Sequence, residues 1–192
     1  MWVVFRGDPR QTEGMKISMI AAMARNRVIG TGDGGIPWRL PRDTLHFRDY
    51  TAGKHLLLGR RTFGEMTGWF RAHIPIVLTR DERFEPAIGQ VAHSVDEAIT
   101  EAFEDGAPEL VVCGGASVYR AALPYADELC LTLIDAEVEG EAVFPDYEAE
   151  IEWEKLSEES HPADAENAHP MTFVRLRRIR PSSLRPSRLH LL

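Results

Sequence analysis

Long apolar runs and cysteine are both scarce in this sequence. No run approaches the roughly 18 apolar residues that a membrane helix needs, and the opening stretch MWVVFRGDPRQTEG has too short an apolar segment before its charges for a secretory signal. The 192 residues include 2 cysteines, Cys113 and Cys130, and both lie in strand-like runs, which favours reduced core residues over a disulfide. We therefore expect a cytoplasmic protein with no membrane segment, no metal site and no redox-active cysteine.

Positive charge is also scarce, except at the end of the chain. The sequence has 22 Lys and Arg against 30 Asp and Glu, and six of the Arg lie in the last 18 residues, which hold no acid. Residues 1–174 therefore carry a net charge of about −14, which argues against binding to nucleic acid. Neither residues 1–14 nor the basic residues 181–192 show a core-forming pattern. The sequence thus predicts one domain over 15–180, a disordered N-terminal extension and a C-terminal tail.

Short apolar runs alternate with segments of helical spacing through most of the chain. KISMIAAMA, HLLLG, IPIVLT, ELVVC and ELCLTLID are typical of strands buried on both faces, and RDTLHFRDY, RRTFGEM, SVDEAITEAFE and SVYRAALP are typical of helices. This alternation predicts an α/β domain with a central, mostly parallel sheet and helices on both faces. WEKLSEES and MTFVRLRR have only a polar loop between them, so they should pair as an antiparallel C-terminal hairpin at the sheet edge.

Unusual residues follow three of the predicted strands, and open α/β sheets bind ligands at the carboxyl ends of their strands. In LLLGRRTF, two arginines and a threonine open a helix, which suits an anion. The glycine pair of VVCGGASVY could let the backbone approach a pyrophosphate, and Arg80 in IVLTR could hold an additional phosphate. Taken singly, each motif is equally typical of a turn with solvated side chains.

An acidic residue occupies an apolar stripe in GGIPWRLPRDTLHF. Asp43 follows Pro41, so it lies in the first turn of the predicted helix, and steps of four and seven residues from it reach Phe47 and Tyr50. An acid at a helix N-terminus usually does no more than offset the macrodipole. The rest of the sequence must decide between this explanation and a buried functional carboxylate.

From Lys16 to about Arg178 the sequence resembles dihydrofolate reductase. The motifs that carry the resemblance follow one another in the family's order: MKISMIAAMARNRVIG, IPWRLPRDTLHF, GRRTF, IVLTR, VVCGGASVY, LTLIDAEVEGEAVFPDY and the loop HPADAENAH. The resemblance implies the single-domain dihydrofolate reductase-like fold and the reduction of 7,8-dihydrofolate to 5,6,7,8-tetrahydrofolate, with hydride transfer from NADPH to C6 and protonation at N5. It also implies a place in one-carbon metabolism and a role as an antifolate target.

For the substrate, the resemblance assigns the acid after P-W-x-L-P-x, here Asp43, to the pterin ring. A carboxylate can accept parallel hydrogen bonds from the ring's amino group and N–H, and burial should raise its pKa toward neutrality. Thr132 matches the hydroxyl that ties this carboxylate to the pterin, and a water admitted beside Trp38 is implied to carry the proton. The implied catalytic residues are Asp43, Trp38 and Thr132, and the implied substrate-binding residues are Ile20, Asp43, Thr44, Phe47, Met66, His73, Cys113 and Thr132.

For NADPH, the resemblance implies binding along the three junctions and under the glycine-rich loop from Asn26 to Trp38, which should act as a lid. The Gly114–Gly115 peptide is implied to be cis. Some members have a third Gly and then Arg where this chain has Ala116 and Ser117, so Arg60 and Arg80 must carry more of the preference for the 2′-phosphate. The implied cofactor-binding residues are Ala22, Ile29, Gly30, Gly59, Arg60, Arg61, Thr62, Leu78, Thr79, Arg80, Cys113, Gly114, Gly115, Ala116, Ser117, Val118 and Tyr119.

One position departs clearly from the family pattern. Counting back from IVLTR, the residue that usually grips the α-carboxylate of the substrate's glutamate tail is His73 rather than Arg, and Arg71 lies two residues away. Histidine offers fewer donors than arginine and is mostly neutral at pH 7. The sequence therefore leaves open which of the two residues binds the tail.

Two other functions stay open at this point. A riboflavin-pathway reductase shares the fold and the use of NADPH but acts on a ribosylamino-pyrimidine, and the P-W-x-L-P-x-D signature argues against it. A non-catalytic binding protein of the same fold is the other alternative, and the intact Asp43, Thr132 and Gly114–Gly115 pair argue against that. We expect dihydrofolate and NADPH as the partners, no nucleic acid or membrane, and a monomer.

Overall fold

The structure is a computed structural model that describes residues 14–32 and 34–180. Apart from Gly14, the predicted N-terminal extension and the tail at 181–192 lie outside these ranges, so the division of the chain stays a prediction. No helix in the described ranges is long and apolar enough to cross a membrane.

Strands and helices alternate through the first two thirds of the chain. In chain order, the strands of the described residues are β1 (Lys16–Ala24), β2 (Val28–Gly30), β3 (His55–Gly59), β4 (Ile74–Leu78), β5 (Gln90–Ala92), β6 (Glu109–Gly114), β7 (Glu128–Ile134), β8 (Ala142–Val143), β9 (Trp153–His161) and β10 (Met171–Arg178). The helices are α1 (Pro41–Thr51), α2 (Arg60–Glu65), α3 (Val95–Glu104) and α4 (Ala116–Ala122), followed by a 3-10 turn at Leu123–Tyr125.

Within the described residues, eight strands form one sheet in the order β5-β4-β3-β6-β1-β7-β10-β9, and β2 pairs with β8 in a separate ribbon. Along the first six strands of this order, from β5 to β7, each strand is parallel to its neighbour. Strand β10 runs antiparallel to both β7 and β9, which leaves β9 at the edge. The predicted fold class is therefore confirmed, including the hairpin at the sheet edge.

Three short strands, β2, β5 and β8, have no counterpart in the sequence prediction. Each holds 2 or 3 residues. A segment of that length shows no measurable alternation of apolar and polar residues, so pattern alone does not separate it from a loop. The ribbon of β2 and β8 matters for the site, because it joins the glycine-rich loop to the segment after β7.

Helices cover both faces of the sheet, which explains why its central strands are apolar without alternation. Every residue of β6 is buried, and Leu56, Leu57 and Leu58 of β3 are fully enclosed. On one face, α3 and α4 pack against β1, β3, β6 and β7. On the other face, Phe47 and Tyr50 of α1 and Phe63 of α2 pack against the same sheet.

Both cysteines are buried and free, as the sequence predicts. Burial raises the pKa of the Cys130 thiol to about 11 and raises the pKa of the Cys113 thiol well above its ordinary value. Both groups are therefore protonated at neutral pH and inert as nucleophiles.

A buried carboxylate fixes the end of α1 to the sheet. Glu109, at the start of β6, accepts hydrogen bonds from Ser18 Oγ at 2.6 Å and from the hydroxyl of Tyr50 at 2.8 Å. The ammonium groups of Lys54 and Lys16 lie 2.9 and 3.1 Å from its oxygens. Burial alone would raise the pKa of Glu109, but these hydrogen bonds and charges outweigh it and lower the pKa to about 2.

We expect Glu109→Gln to lower the free energy of unfolding by about 2 to 4 kcal/mol at pH 7, because two partly buried lysines lose their anion. A carboxylate whose pKa is lowered by folding stabilises the folded protein at pH values above its pKa in the unfolded chain, which is 4.5 for Glu109. This stabilisation is lost as the pH falls toward the folded pKa of about 2. The difference between the two proteins in urea unfolding should therefore shrink below pH 4.5. Glu104→Gln, an exposed change at the end of α3, is the matched control, and an equal loss in both variants would contradict the network's role.

Candidate active site

A cavity of about 1100 Å³ opens at the carboxyl ends of the parallel strands. Strand β1 contributes Ile20 to its wall, β3 contributes Gly59, β4 contributes Leu78 and β6 contributes Cys113. Helices α1, α2 and α4 enclose its sides. This edge of an open α/β sheet is the place where the fold class binds ligands.

Most of the predicted site residues line this one cavity. They are Ile20, Ala22, Ile29, Gly30, Trp38, Asp43, Thr44, Phe47, Gly59, Arg60, Arg61, Thr62, Met66, Leu78, Thr79, Arg80, Cys113, Gly115, Ala116, Ser117, Val118 and Tyr119. Of the predicted residues, all of which are described, Thr132, Gly114 and His73 do not line it. Thr132 is buried directly behind Asp43, and Gly114 precedes the Gly115 that forms the wall.

Asp43 is largely enclosed on the first turn of α1. The helix begins at Pro41, and the side chain of Thr132 on β7 forms a hydrogen bond with the Asp43 carboxyl group. Burial raises the pKa of Asp43, and the Thr132 bond and the charge of His46 only partly oppose this. The carboxyl group can therefore exchange a proton closer to neutral pH than an exposed aspartate can.

Apolar side chains surround Asp43, and together Ile20, Phe47, Met66 and Trp69 form what we call the apolar half of the cavity. The rings of Phe47 and Trp69 meet edge to face at a centroid distance of 6.1 Å. The third member of the predicted stripe, Tyr50, instead turns to Glu109. This half suits a flat apolar ring that presents hydrogen-bond donors to one carboxylate.

The opposite half carries cations and hydroxyls, and we call it the cationic half: Arg60, Arg61, Thr62, Thr79, Arg80 and Ser117. Arg60 pairs with Asp81 at 2.8 Å, and Arg61 donates to the carbonyl oxygen of Gly32 in the glycine-rich loop. Arg80 has no ion-pair partner among the described residues. Such a donor set suits a ligand with several phosphate groups.

The glycine pair at the end of β6 gives the cationic half a smooth backbone wall. The Gly114–Gly115 peptide is cis, as the resemblance implies, and Gly114 has a φ of 101°. A Cβ atom on Gly114 would lie 2.7 Å from the ring of Tyr119, so a side chain there is excluded. Tyr119 itself donates a hydrogen bond of 2.6 Å to the carbonyl oxygen of Ile20, which links the two halves of the cavity.

The glycine-rich loop forms one rim of the cavity. The hydroxyl of Thr31 donates to the carbonyl oxygen of Gly34 at 2.7 Å, which closes a tight turn. Beyond that turn, Ile36 is 61% exposed at the cavity mouth. The indole N–H of Trp38 is buried and has no hydrogen-bond partner among the described residues. An unpaired donor on the cavity wall suits a bound water or a polar ligand atom.

Several cavity residues are missing from the sequence prediction, notably His93, Trp69 and Glu141. His93 follows the short strand β5, its Nδ1 lies 2.9 Å from the carbonyl oxygen of Thr79, and its backbone N–H donates to Glu97. A strand of 3 residues gives too little pattern to reveal that its carboxyl end reaches the site. Trp69 and Glu141 lie in turns, where no periodicity exists to orient them.

His73 lies at the outer end of α1, away from the cavity lining. Its Nε2 is 3.3 Å from the hydroxyl of Thr51, and its ring meets Phe70 edge to face. Burial lowers the pKa of His73, against a smaller opposing effect of the Trp69 backbone. Arg71 is exposed, and the guanidinium of Arg48 stacks over the ring of Trp69 at 5.1 Å. Arg48 is thus the cation that directly contacts the apolar half.

Comparison with known proteins gives a consistent result. A family model described as dihydrofolate reductase matches residues 16–178. The chain is 40% identical over 166 residues to a dihydrofolate reductase type 3 of Salmonella typhimurium. The aligned residues cover 86% of this chain and 100% of that protein. It is 34% identical over 160 residues to a dihydrofolate reductase of Bacillus subtilis, covering 82% and 92% of the two chains. A solved dihydrofolate reductase of Enterococcus faecalis, complexed with NADP(H) and RAB-propyl, superposes with a TM-score of 0.78 at 30% identity over 86% of this chain and 97% of that one.

Proposed function

The chain belongs to the dihydrofolate reductase family and reduces 7,8-dihydrofolate to 5,6,7,8-tetrahydrofolate with NADPH, and we propose that Asp43 and the cavity around it carry this reaction. The observation that carries the proposal is an enclosed carboxyl group, bonded to Thr132, in the apolar half of a cavity whose other half is cationic. Assays with dihydrofolate and with the ribosylamino-pyrimidine of riboflavin synthesis, each with NADPH, separate this activity from the alternative reductase. Oxidation of NADPH with dihydrofolate separates it from a non-catalytic binding protein.

Asp43 binds and polarises the pterin ring. A carboxylate can accept two parallel hydrogen bonds from an exocyclic amino group and an adjacent ring N–H. Ile20, Phe47 and Met66 bury the ring and exclude water, which strengthens those bonds. Thr132 fixes the orientation of the carboxyl group from behind.

The cationic half fits NADPH. Gly115 and Gly59 give the wall two positions without a side chain. A Cβ atom on Gly59 would also crowd the side chain of Val118, at 3.2 Å. Arg60, Arg61 and Arg80 bring three positive charges to this wall in a chain with a net charge of −8. The bound cofactor supplies the hydride, and the protein holds and orients it.

Protonation at N5 requires water to reach an otherwise apolar region, because Asp43 binds the other side of the ring. The unpaired indole N–H of Trp38 can hold a water on the cavity wall. The glycine-rich loop beside it can admit that water and then close over the ligands. Trp38 is accordingly a water-positioning residue in this proposal.

We expect Asp43→Asn to keep its fold and NADPH binding and to lose most of its activity at pH 7, with a deficit that shrinks as the pH falls. Asparagine keeps the shape but removes the charge that favours a protonated substrate. Burial raises the pKa of Asp43 in the folded protein above its pKa in the unfolded chain, so above the unfolded pKa the ionisation of Asp43 lowers the free energy of unfolding. Asparagine cannot ionise, and the variant's melting temperature at pH 7 should therefore not fall below that of the wild type. Asp49→Asn, an exposed change on the same helix, is the control. Near-normal turnover of Asp43→Asn at pH 7 would contradict the assignment.

We expect Arg80→Ala, and more strongly Arg60→Ala with Arg80→Ala, to weaken NADPH much more than NADH. The two cofactors differ only in the 2′-phosphate, so a cation that contacts this group contributes to one of them alone. Dissociation constants from fluorescence titration measure the effect. Arg177→Ala removes an arginine from the distant hairpin and controls for net charge. Equal losses for both cofactors would mean that these arginines act elsewhere.

Recognition of the glutamate tail should depend little on His73 in this chain. Its Nε2 lies close to the hydroxyl of Thr51, and burial lowers the pKa of His73, so the side chain is mostly neutral at pH 7. Arg71 and Arg48 are the nearby permanent cations, and Arg48 has the closer link to the cavity through Trp69. We therefore propose that one of these arginines meets the tail carboxylate, with His73 as a minor contact.

His73→Arg should lower the Michaelis constant for dihydrofolate at pH 7 by several-fold, equivalent to about 1 to 2 kcal/mol for a charge-assisted bond, with little change for a pterin that lacks the tail. In the wild type, any contribution of His73 should appear only below pH 6.5, because its pKa lies below that value. Arg71→Ala and Arg48→Ala, tested with the same two substrates, identify the arginine that acts. If His73→Arg changes nothing for either substrate, the His73 position does not face the tail.

The remaining expectations stay predictions. These are the monomeric state, the cytoplasmic location and the separate extensions at residues 1–14 and 181–192. Size-exclusion chromatography and truncation of both ends would test them.

A further inference from the structure

His46 is a titratable group that the proposed reaction does not use. It lies three residues after Asp43 on α1 and stacks on Phe173 of β10, with ring centroids 4.1 Å apart and planes 12° from parallel. Its Nε2 lies 3.4 Å from Cys130 Sγ on β7. The imidazole is therefore fixed against two strands of the sheet.

The same part of the sheet holds Asp43. Thr132, which bonds to Asp43, pairs with Phe173 across β7 and β10. Cys130 precedes Thr132 by two residues on β7, so both side chains project from one face of the sheet. Residues three apart on a helix also share a face. His46 and Asp43 are thus neighbours that rest on neighbouring residues of β7.

Charged and titratable groups reach His46 from each element packed against it. They are Asp43 and Asp49 on α1, Cys130 on β7, and Glu159 and His161 on β9. On β10, Arg175 lies opposite Cys130 and pairs with Glu128. Burial lowers the pKa of His46, and Asp43 is the strongest influence that opposes this lowering. The Cys130 thiol keeps its proton, so it can donate to Nε2 of a neutral imidazole.

We propose that His46 is a positioning residue for Asp43, and that the two side chains bind protons as one coupled pair. An imidazolium next to Asp43 favours the ionised carboxyl group, and an ionised Asp43 favours the imidazolium, because the coupling is reciprocal. The proposal rests on the proposed role of Asp43 for its effect on turnover, whereas the coupling itself does not depend on turnover.

Nuclear magnetic resonance titration of the histidine ring protons tests the coupling directly in the full-length, ligand-free protein. Asp43→Asn should lower the pKa of His46 by about half a unit or more, since it removes the anion that most favours the imidazolium. His93, which follows β5 at the opposite edge of the sheet, serves as the reference signal in both proteins. An unchanged titration of His46 would overturn the proposal. If the wild type failed to reduce dihydrofolate while His46 still shifted, the coupling would stand and the proposed function would fail.

Two substitutions of His46 test the effect on catalysis. His46→Phe keeps a ring on Phe173, and His46→Gln keeps a partner for Cys130, but neither can carry the proton. Both should raise the apparent pKa in the pH profile of kcat/KM by about half a unit or more, in the same direction despite their different packing. A merely structural role would lower stability and leave that pKa in place.

The matched control is His161→Phe, which changes the second histidine that contacts Phe173, at a centroid distance of 4.9 Å. It should move the apparent pKa of the activity much less than either His46 variant does, because His161 influences His46 less than Asp43 does. Superimposable pH profiles for the wild type and both His46 variants would overturn the proposal. An equal upward shift in His161→Phe would do the same, because it would show that the effect is not specific to His46.

Discussion

Enclosure of one carboxyl group is the constraint on which the rest of the cavity depends. Removing Asp43 from water disfavours its charged form, and the bond with Thr132 offsets only part of that cost, so its pKa is raised. The acceptor sites of the Asp43 carboxyl group that Thr132 does not use face the apolar half of the cavity. A ligand that offers two adjacent N–H donors on a flat ring would restore the lost hydrogen bonds, and this is the physical basis of the pterin binding that we propose for Asp43.

Tyr119 connects that requirement to cofactor binding. Its hydroxyl donates to the carbonyl oxygen of Ile20 in the apolar half, and its ring occupies the space that a side chain on Gly114 would need. The tyrosine is buried, and burial raises its pKa well above the ordinary value, so it stays a neutral donor at any physiological pH. One side chain therefore contacts both β1 in the apolar half and the bare backbone wall in the cationic half.

Sequence patterns predict the strands and helices that are long enough to show a periodicity of apolar residues, and they do not reveal the shorter elements. The long strands and the four helices follow from apolar runs and helical spacing, whereas β2, β5 and β8 are too short to show either. Partners distant in sequence are a second limit. Helical spacing groups Tyr50 with Asp43, but the hydroxyl of Tyr50 meets Glu109, 59 residues away, and no local pattern encodes that pairing. The link between Thr132 and Asp43 follows only from the family resemblance, and His93 escapes prediction because β5, with 3 residues, is too short to show a period.

Charge on this chain is arranged so that phosphate binding is an exchange of partners. The acidic body leaves few unpaired cations near the cavity: Arg60 already pairs with Asp81, and Arg61 already donates to the carbonyl oxygen of Gly32. A phosphate that recruits either arginine must first replace an existing contact, so the net gain is the difference between two similar bonds. Arg80 begins without an ion-pair partner among the described residues, so it gives up no ion pair when an anion binds. Discrimination between NADPH and NADH through the 2′-phosphate should accordingly depend more on Arg80 than on the number of arginines around the site. If an anion recruits Arg61, the bond from Arg61 to Gly32 must break, which would release the glycine-rich loop.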